Sequence, residues 1–303
     1  MDEIDHRITK QQSGTAIALW VTIIIYAIAR VLQIYSGRVP MLVVVGLHVL
    51  PPIAFTLIHG ARLYRTRGIL LFVLICVAVG NIIENLSIVT GFPFGHYYFT
   101  SVMGPKILNV PVMLGLAYVG MGYLSWIMGL VILGILDRPL TRSCVVTAPL
   151  IAAFIMVAWD LAMDPVWGTI LHAWIWLGGG AYFGVPITNF LGWYLTAYII
   201  YQLFAIFARR RPAPPDQLPS RHWQLPVVFY SVSVAGNLLL AIPQTGPSVV
   251  SDAAGVQWRV SDITGTCALV SIFTMGAFAC LASIRLIQLS ARAEGGLAAQ
   301  EGS

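Results

Sequence analysis

The chain has 303 residues, of which 58% are hydrophobic and only 10% charged, with a formal net charge of +5. Soluble domains carry roughly 25% charged residues, so a water-soluble fold is excluded and an integral membrane protein is indicated. The basic residues are spread over loops rather than gathered on one folded face, which argues against a nucleic-acid partner.

A membrane-spanning helix needs about 20 apolar residues. Eight such segments occur in order, at roughly 15–36, 39–59, 68–90, 109–136, 144–167, 186–208, 225–243 and 263–289. The first is too long, and lacks the small-residue cleavage site, to be a removable signal peptide. With both ends on one side, 13 of the 17 basic residues fall on that side, among them Arg62, Arg65, Arg67 and the run Arg209–Arg211. The positive-inside rule makes that side cytoplasmic. The predicted fold is therefore all-α, a polytopic integral membrane helix bundle of about eight transmembrane helices with both termini cytoplasmic. Residues 1–14 form the cytoplasmic N-terminus and 15–290 a single transmembrane catalytic domain. Within it, 209–224 is a Pro-rich cytoplasmic linker; residues 291–303 form a small, polar, disordered tail.

Cys76, Cys144, Cys267 and Cys280 lack paired spacing, so no disulfide frame or zinc site is indicated. The six histidines are scattered, whereas a membrane di-iron oxidase needs them clustered around its metal pair. No metal and no cofactor are expected. Two loops, Gly91–Asn109 and Gly168–Val185, are rich in aromatic residues and glycine and fall on the non-cytoplasmic side. Each follows an acidic span and precedes a Val-Pro pair that opens the next span. Glu84 precedes Pro111 by 27 positions and Asp160 precedes Pro186 by 26. Leu116, Tyr118 and Tyr123 match Leu191, Trp193 and Tyr198 at an offset of 75. A shift of two spans preserves orientation, so this pattern reads as a parallel repeat; chance likeness between apolar spans competes with it.

Polar groups gather at one depth. At 1.5 Å per helical residue, Arg30 lies roughly 22 Å from the cytoplasmic end of its span, Glu84 and Asp160 about 24 Å and Asp164 about 30 Å. Asn81, Glu84 and Asn85 share one helix face, Asp160, Asp164 and Trp167 a second, and Asn189, Trp193 and Thr196 a third. A carboxylate near the bilayer centre costs about 2.5–3.5 kcal/mol on insertion scales. A purely structural reading, with Arg30 paired to one carboxylate and asparagines bridging helices, accounts for one buried acid. Three acids, three asparagines and an arginine exceed what such packing needs. Two carboxylates one turn apart in low dielectric resist double ionisation, so one keeps a proton and is a general acid. Nearby aromatic faces (Phe94, Tyr97, Tyr98, Trp159, Trp167, Trp193, with Phe92, Trp174 and Trp176) stabilise a carbocation through their ring quadrupoles. Acid, aromatic box and apolar tunnel together point to protonation of an alkene. His96 and His172, in the outer loops, are further candidates.

The strings NIIEN at 81–85, GFPFGHYYF at 91–99, WDLAMDPVW at 159–167 and GGGAYFGVPITNFLGW at 178–193 resemble the membrane carotenoid hydratases, the bisanhydrobacterioruberin hydratase and γ-carotene 1′-hydroxylase type. The resemblance is strongest over about 80–195 and extends from about 40 to 290. It implies a hydro-lyase of carotenoid biosynthesis in a bacterial or archaeal plasma membrane. Such an enzyme adds water, without a cofactor, across the terminal C1–C2 double bond of an acyclic carotenoid. The chemistry then assigns Asp160 or Asp164 as acid and Glu84 with Asn81 or Asn85 as the group that orients water. Asn189 orients the dyad, and Arg30 tunes one carboxylate.

Two alternatives stand beside this expectation. A carotenoid or terpenoid cyclase uses the same acid and aromatics. A proton-coupled transporter uses intramembrane acids as relays, although inverted rather than parallel repeats are usual there. A prenyltransferase needs paired Asp-rich motifs for magnesium, and only one DxxxD is present.

Overall fold

The computed structural model describes residues 2–136, 139–210, 218–242 and 246–301. Among the described residues, eight α-helices, α1 (Asp2–Leu32), α2 (Met41–Thr90), α3 (Val112–Leu133), α4 (Cys144–Pro165), α5 (Ile187–Arg209), α6 (Ser220–Leu239), α7 (Val260–Val270) and α8 (Ala277–Glu301), form the bundle. A π-helical turn, Ser271–Gly276, joins α7 to α8, and another, Val166–Ile170, extends α4. Three short antiparallel strand pairs lie in the loops: β1 (Tyr97–Phe99) with β4 (Trp174–Trp176), β2 (Lys106–Ile107) with β3 (Val110–Pro111), and β5 (Val249–Ser251) with β6 (Gln257–Arg259).

Among the described residues, six helical stretches are long and apolar enough to cross a membrane: Gly14–Tyr35, Met41–Thr90, Val112–Leu133, Cys144–Ile170, Ile187–Arg209 and Val260–Ala291. The expected count of eight is not reached on that criterion, for two reasons. The expected spans at 39–59 and 68–90 are joined in the single run α2, and the expected seventh span corresponds to α6, whose Arg221, His222, Gln224 and Asn237 dilute its hydropathy. The run α2 is nevertheless not straight. Fifty helical residues would extend about 75 Å, more than twice the hydrocarbon thickness, but Arg65 breaks the helix with φ 58° and ψ 166°. A Cβ at Gly60 would lie only 2.8 Å from Ile69 Cγ1. Tyr123 meets His59 at 5.6 Å and Phe72 at 5.8 Å between ring centroids. The chain therefore turns back at Arg65, and Arg65 and Arg67 are exposed at the turn.

The lipid-facing surface is read from the burial pattern. On α1, Ile17, Ile24, Ile28 and Val31 are exposed while Leu19, Ile23, Tyr26 and Arg30 are buried, which separates two faces at helical spacing. Helix α3 is central and packs against α2, α4, α6 and α8. Small residues let its neighbours approach closely: a Cβ on Gly129 would meet the Ala152 backbone nitrogen of α4 at 3.3 Å.

The two aromatic loops are joined by backbone hydrogen bonding. Tyr97 pairs with Trp176 and Phe99 with Trp174 across β1 and β4. Alternation along β1 buries Tyr97 and Phe99 and exposes Tyr98. The β5–β6 hairpin is capped by Asp252, which accepts from the Ala254 and Val256 backbone N–H groups and from Trp258 Nε1. Trp258 in turn meets Phe183 of the second aromatic loop edge-on at 5.3 Å. Of the expected linker 209–224, residues 211–217 lie outside the described residues, and residues 220–224 belong to α6. Helix α8 extends as far as Glu301, through a sequence that contains several alanines, the strongest helix former.

Candidate functional site

Glu84 lies in the second half of α2 and is 3% exposed. The Tyr118 hydroxyl, from α3, donates to its Oε1 at 2.7 Å, and the Tyr97 hydroxyl, from β1, donates to its Oε2. Asp160 and Asp164 lie one turn apart near the end of α4 and are fully buried. Trp174 Nε1, from β4, donates to Asp164 Oδ1 at 2.8 Å. Asn189, in the first turn of α5, donates through Nδ2 to Asp160 Oδ2 at 3.1 Å and also to Asp164 Oδ2. Asp160 Oδ1 meets no hydrogen-bond partner among the described residues. Each of these donors is electrically neutral.

Glu84, Asp164 and Asn189 line one cavity of about 20 Å³. A cavity of roughly 10–15 Å³ or more on this measure admits a water molecule, so there is room for about one. The remaining walls are aromatic except for Leu114: Phe94, Tyr97, Phe99, Trp174, Trp176 and Trp193. Trp193 stacks on Tyr118 at 4.5 Å, and Tyr97 lies 4.7 Å from Trp176. Burial, and then the Glu84 carboxylate beside it, hold the Tyr97 phenol well above the ordinary tyrosine range, so it remains a donor.

An apolar cleft of about 50 Å³ adjoins this cavity and shares Leu114 and Trp174 with it. Trp159, Trp167, Met121 and Met163 line the cleft, and so does Arg30. Arg30 is buried, and its guanidinium donates to Asn237 of α6 rather than to a carboxylate. The expectation that Arg30 tunes one of the acids is therefore replaced by a bond that ties α1 to α6. Gln33 Nε2 reinforces that seam by donating to the Gly236 carbonyl at 2.7 Å.

Several expected site residues lie elsewhere. Asn85 Nδ2 donates to the Asn81 carbonyl at 2.9 Å, and its Oδ1 accepts the Asn109 backbone N–H at 3.1 Å. These two asparagines hold the loop before α3 and do not line the cavity, because only Glu84 of their shared face turns far enough inward. Tyr98 is 49% exposed on the outer face of β1. His96, His172 and Phe92 are also exposed. Among the described residues, no group of three or more His, Cys, Asp or Glu side chains is arranged to hold a metal ion. Tyr118, Phe99 and Leu114 were not anticipated as site residues. Tyr118 had a signal in the sequence, since it matches Trp193 in the suspected repeat.

Residues 38–256 match the family described as carotenoid biosynthesis protein, about 72% of the chain. The match takes in every side chain of the cavity and leaves out the whole of α1, α7 and α8. No curated protein and no solved structure matches the chain.

Proposed function

The chain belongs to the carotenoid biosynthesis protein family, and on that premise we propose that it is a cofactor-independent carotenoid hydratase. The observation that carries this reading is a cavity with room for about one water, bounded by Glu84 and Asp164 and otherwise almost wholly aromatic. Three buried carboxylates whose donors are all neutral hold protons in place of three charges, because full ionisation without a counter-cation is too costly. Asp164 reaches the cavity and gives its proton to C2 of the terminal double bond. The tertiary cation forms at C1 and lies among ring faces, which stabilise it. The cavity water attacks C1 and passes its surplus proton to Glu84. The bond to oxygen forms, the π bond is lost, and the proton taken up at Glu84 replaces the one lost from Asp164.

Asp160 is a positioning residue in this scheme. It shares the Asn189 amide with Asp164 and does not line the cavity. Its unpartnered Oδ1 is suited to a neutral carboxyl, which keeps a second negative charge away from Asp164.

The test is incubation of the purified protein with lycopene in oxygen-18 water without oxygen gas. The expected product is a tertiary alcohol carrying the label. An unlabelled hydroxyl or a strict requirement for oxygen overturns hydration, and an isomer of unchanged mass makes the protein a cyclase.

A further inference from the structure

The cavity at the carboxylates, about 20 Å³, and the adjoining cleft, about 50 Å³, are too small to hold a long polyene. A third space is much larger. A groove of about 480 Å³ runs between the start of α2, the π-helical turn after α4, the end of α6 and the start of α7. Val44, Leu171, Leu240 and Ile242 make much of its wall apolar. Trp167 lines both this groove and the cleft, and Trp174 and Leu114 line both the cleft and the carboxylate cavity. One side chain, Trp167, thus stands between the groove and the inner spaces. It sits on the π-helical turn just beyond Pro165, and its ring meets His48 edge-on at 5.9 Å.

We propose that the three spaces form one substrate path, in which the groove holds the unreacting tail of a long acyclic polyene, Trp167 is the gate, and the chain end passes Trp174 to reach the carboxylates. The occupant follows from continuity with the cavity and from size. A family that acts on carotenoids handles hydrocarbons far longer than the inner spaces hold, and an apolar extended molecule is what these walls solvate. The proposal rests on the hydratase reading for its chemistry but not for its binding. The gate also explains why Trp167 shares a face with Asp160 and Asp164 without entering the carboxylate cavity.

The experiment compares two alkenes with the same isopropylidene end, lycopene and the short hydrocarbon myrcene, on the full chain in detergent. Ala241→Trp and Ser261→Trp each place an indole in the groove from an exposed position on a different element. Both variants are expected to raise KM for lycopene on the order of tenfold and to leave kcat/KM for myrcene unchanged. Trp167→Ala is expected to lower selectivity between the two. Lycopene retained on the purified protein, read by its visible absorption, is measured in parallel, and both blocking variants are expected to reduce it. Unchanged lycopene retention in both variants overturns the path, as does an equal loss of turnover with both substrates. If the wild type hydrates neither alkene but the blocking variants still lose lycopene, the hydratase reading falls and the path stands.

Discussion

Glu84 and Asp164 share one cavity but are held by different chemistry on matching frames. Each carboxylate sits near the C-terminal end of a helix. Each receives one donor from the aromatic loop that follows and one from the helix after it: Tyr97 and Tyr118 for Glu84, Trp174 and Asn189 for Asp164. The frames meet face to face. Tyr97 pairs with Trp176 and Phe99 with Trp174, and Tyr118 stacks on its repeat counterpart Trp193. Reciprocal contacts of this kind are what a two-fold relation between halves produces. The difference lies in the donors. A phenol both donates and accepts, whereas an indole N–H and an amide NH₂ only donate. The first half can therefore pass a proton onward, and the second can only fix a carboxyl in place. In the proposed reaction, that division suits a base that must discharge its proton and an acid that must hold its aim. The second half also has an acid where the first has none, since Ile88 occupies the position that corresponds to Asp164.

This contrast breaks most easily at the acids. Asp164→Asn is expected to reduce kcat on lycopene by about 10²–10⁴, the range of a lost general acid. Glu84→Gln is expected to cost on the order of 10²-fold, because water alone remains as a weak base. Circular dichroism of both proteins should match the wild type, and equal small losses in the two would erase the distinction between acid and base.

The donors sharpen it. Tyr118→Phe keeps the stack on Trp193 and removes only the hydroxyl, at an expected loss of about tenfold in kcat, the scale of one hydrogen bond to a charged group. Trp174→Phe is expected to cost a similar factor. Only Tyr118→Phe should enlarge the solvent deuterium isotope effect, since only that donor can relay a proton. A matching isotope effect in Trp174→Phe would remove the functional difference between the halves.

A smaller effect is read on stability. The Tyr97 phenol is held well above the ordinary tyrosine value of 10.0, by burial first and then by Glu84. The folded state keeps a proton that the unfolded chain gives up near pH 10, so this contribution is complete below about pH 10 and is lost as pH rises further. Thermal melts in detergent between about pH 8 and 11 should show that decline, and Tyr97→Phe should flatten it. The smallest effect is expected at the exposed residues. Tyr98→Ala, His96→Ala and His172→Ala should leave kcat within about twofold of wild type, as surface changes away from a site do.

Much of this organisation was legible beforehand. Apolar runs of sufficient length announced a helical membrane bundle, since a lipid-embedded backbone must satisfy its own hydrogen bonds. Buried acids at one depth announced the layer from which the cavity is built, because spacing along a helix fixes facing and height. Resolution failed one residue at a time. Asn81 and Asn85 share the face of Glu84 in any helical projection, and only the packed loop, with Asn109 bonded to Asn85, shows that they serve the backbone. Tyr98 looked equivalent to Tyr97 until strand alternation placed them on opposite faces. Arg30 lies at the depth of the acids, yet depth says nothing about azimuth, and its partner is Asn237, 207 positions away.

The amino-acid order by itself determined the fold class, the family and the three carboxylates, because hydrophobicity and helical period act locally. Only the tertiary structure decided that Glu84 and Asp164, and not Asp160, reach the same cavity, that Tyr118 holds Glu84 there, and that Trp167 lines both the apolar cleft and the large groove. Those facts depend on how distant helices rotate against one another, and packing sets that rotation where no local pattern can.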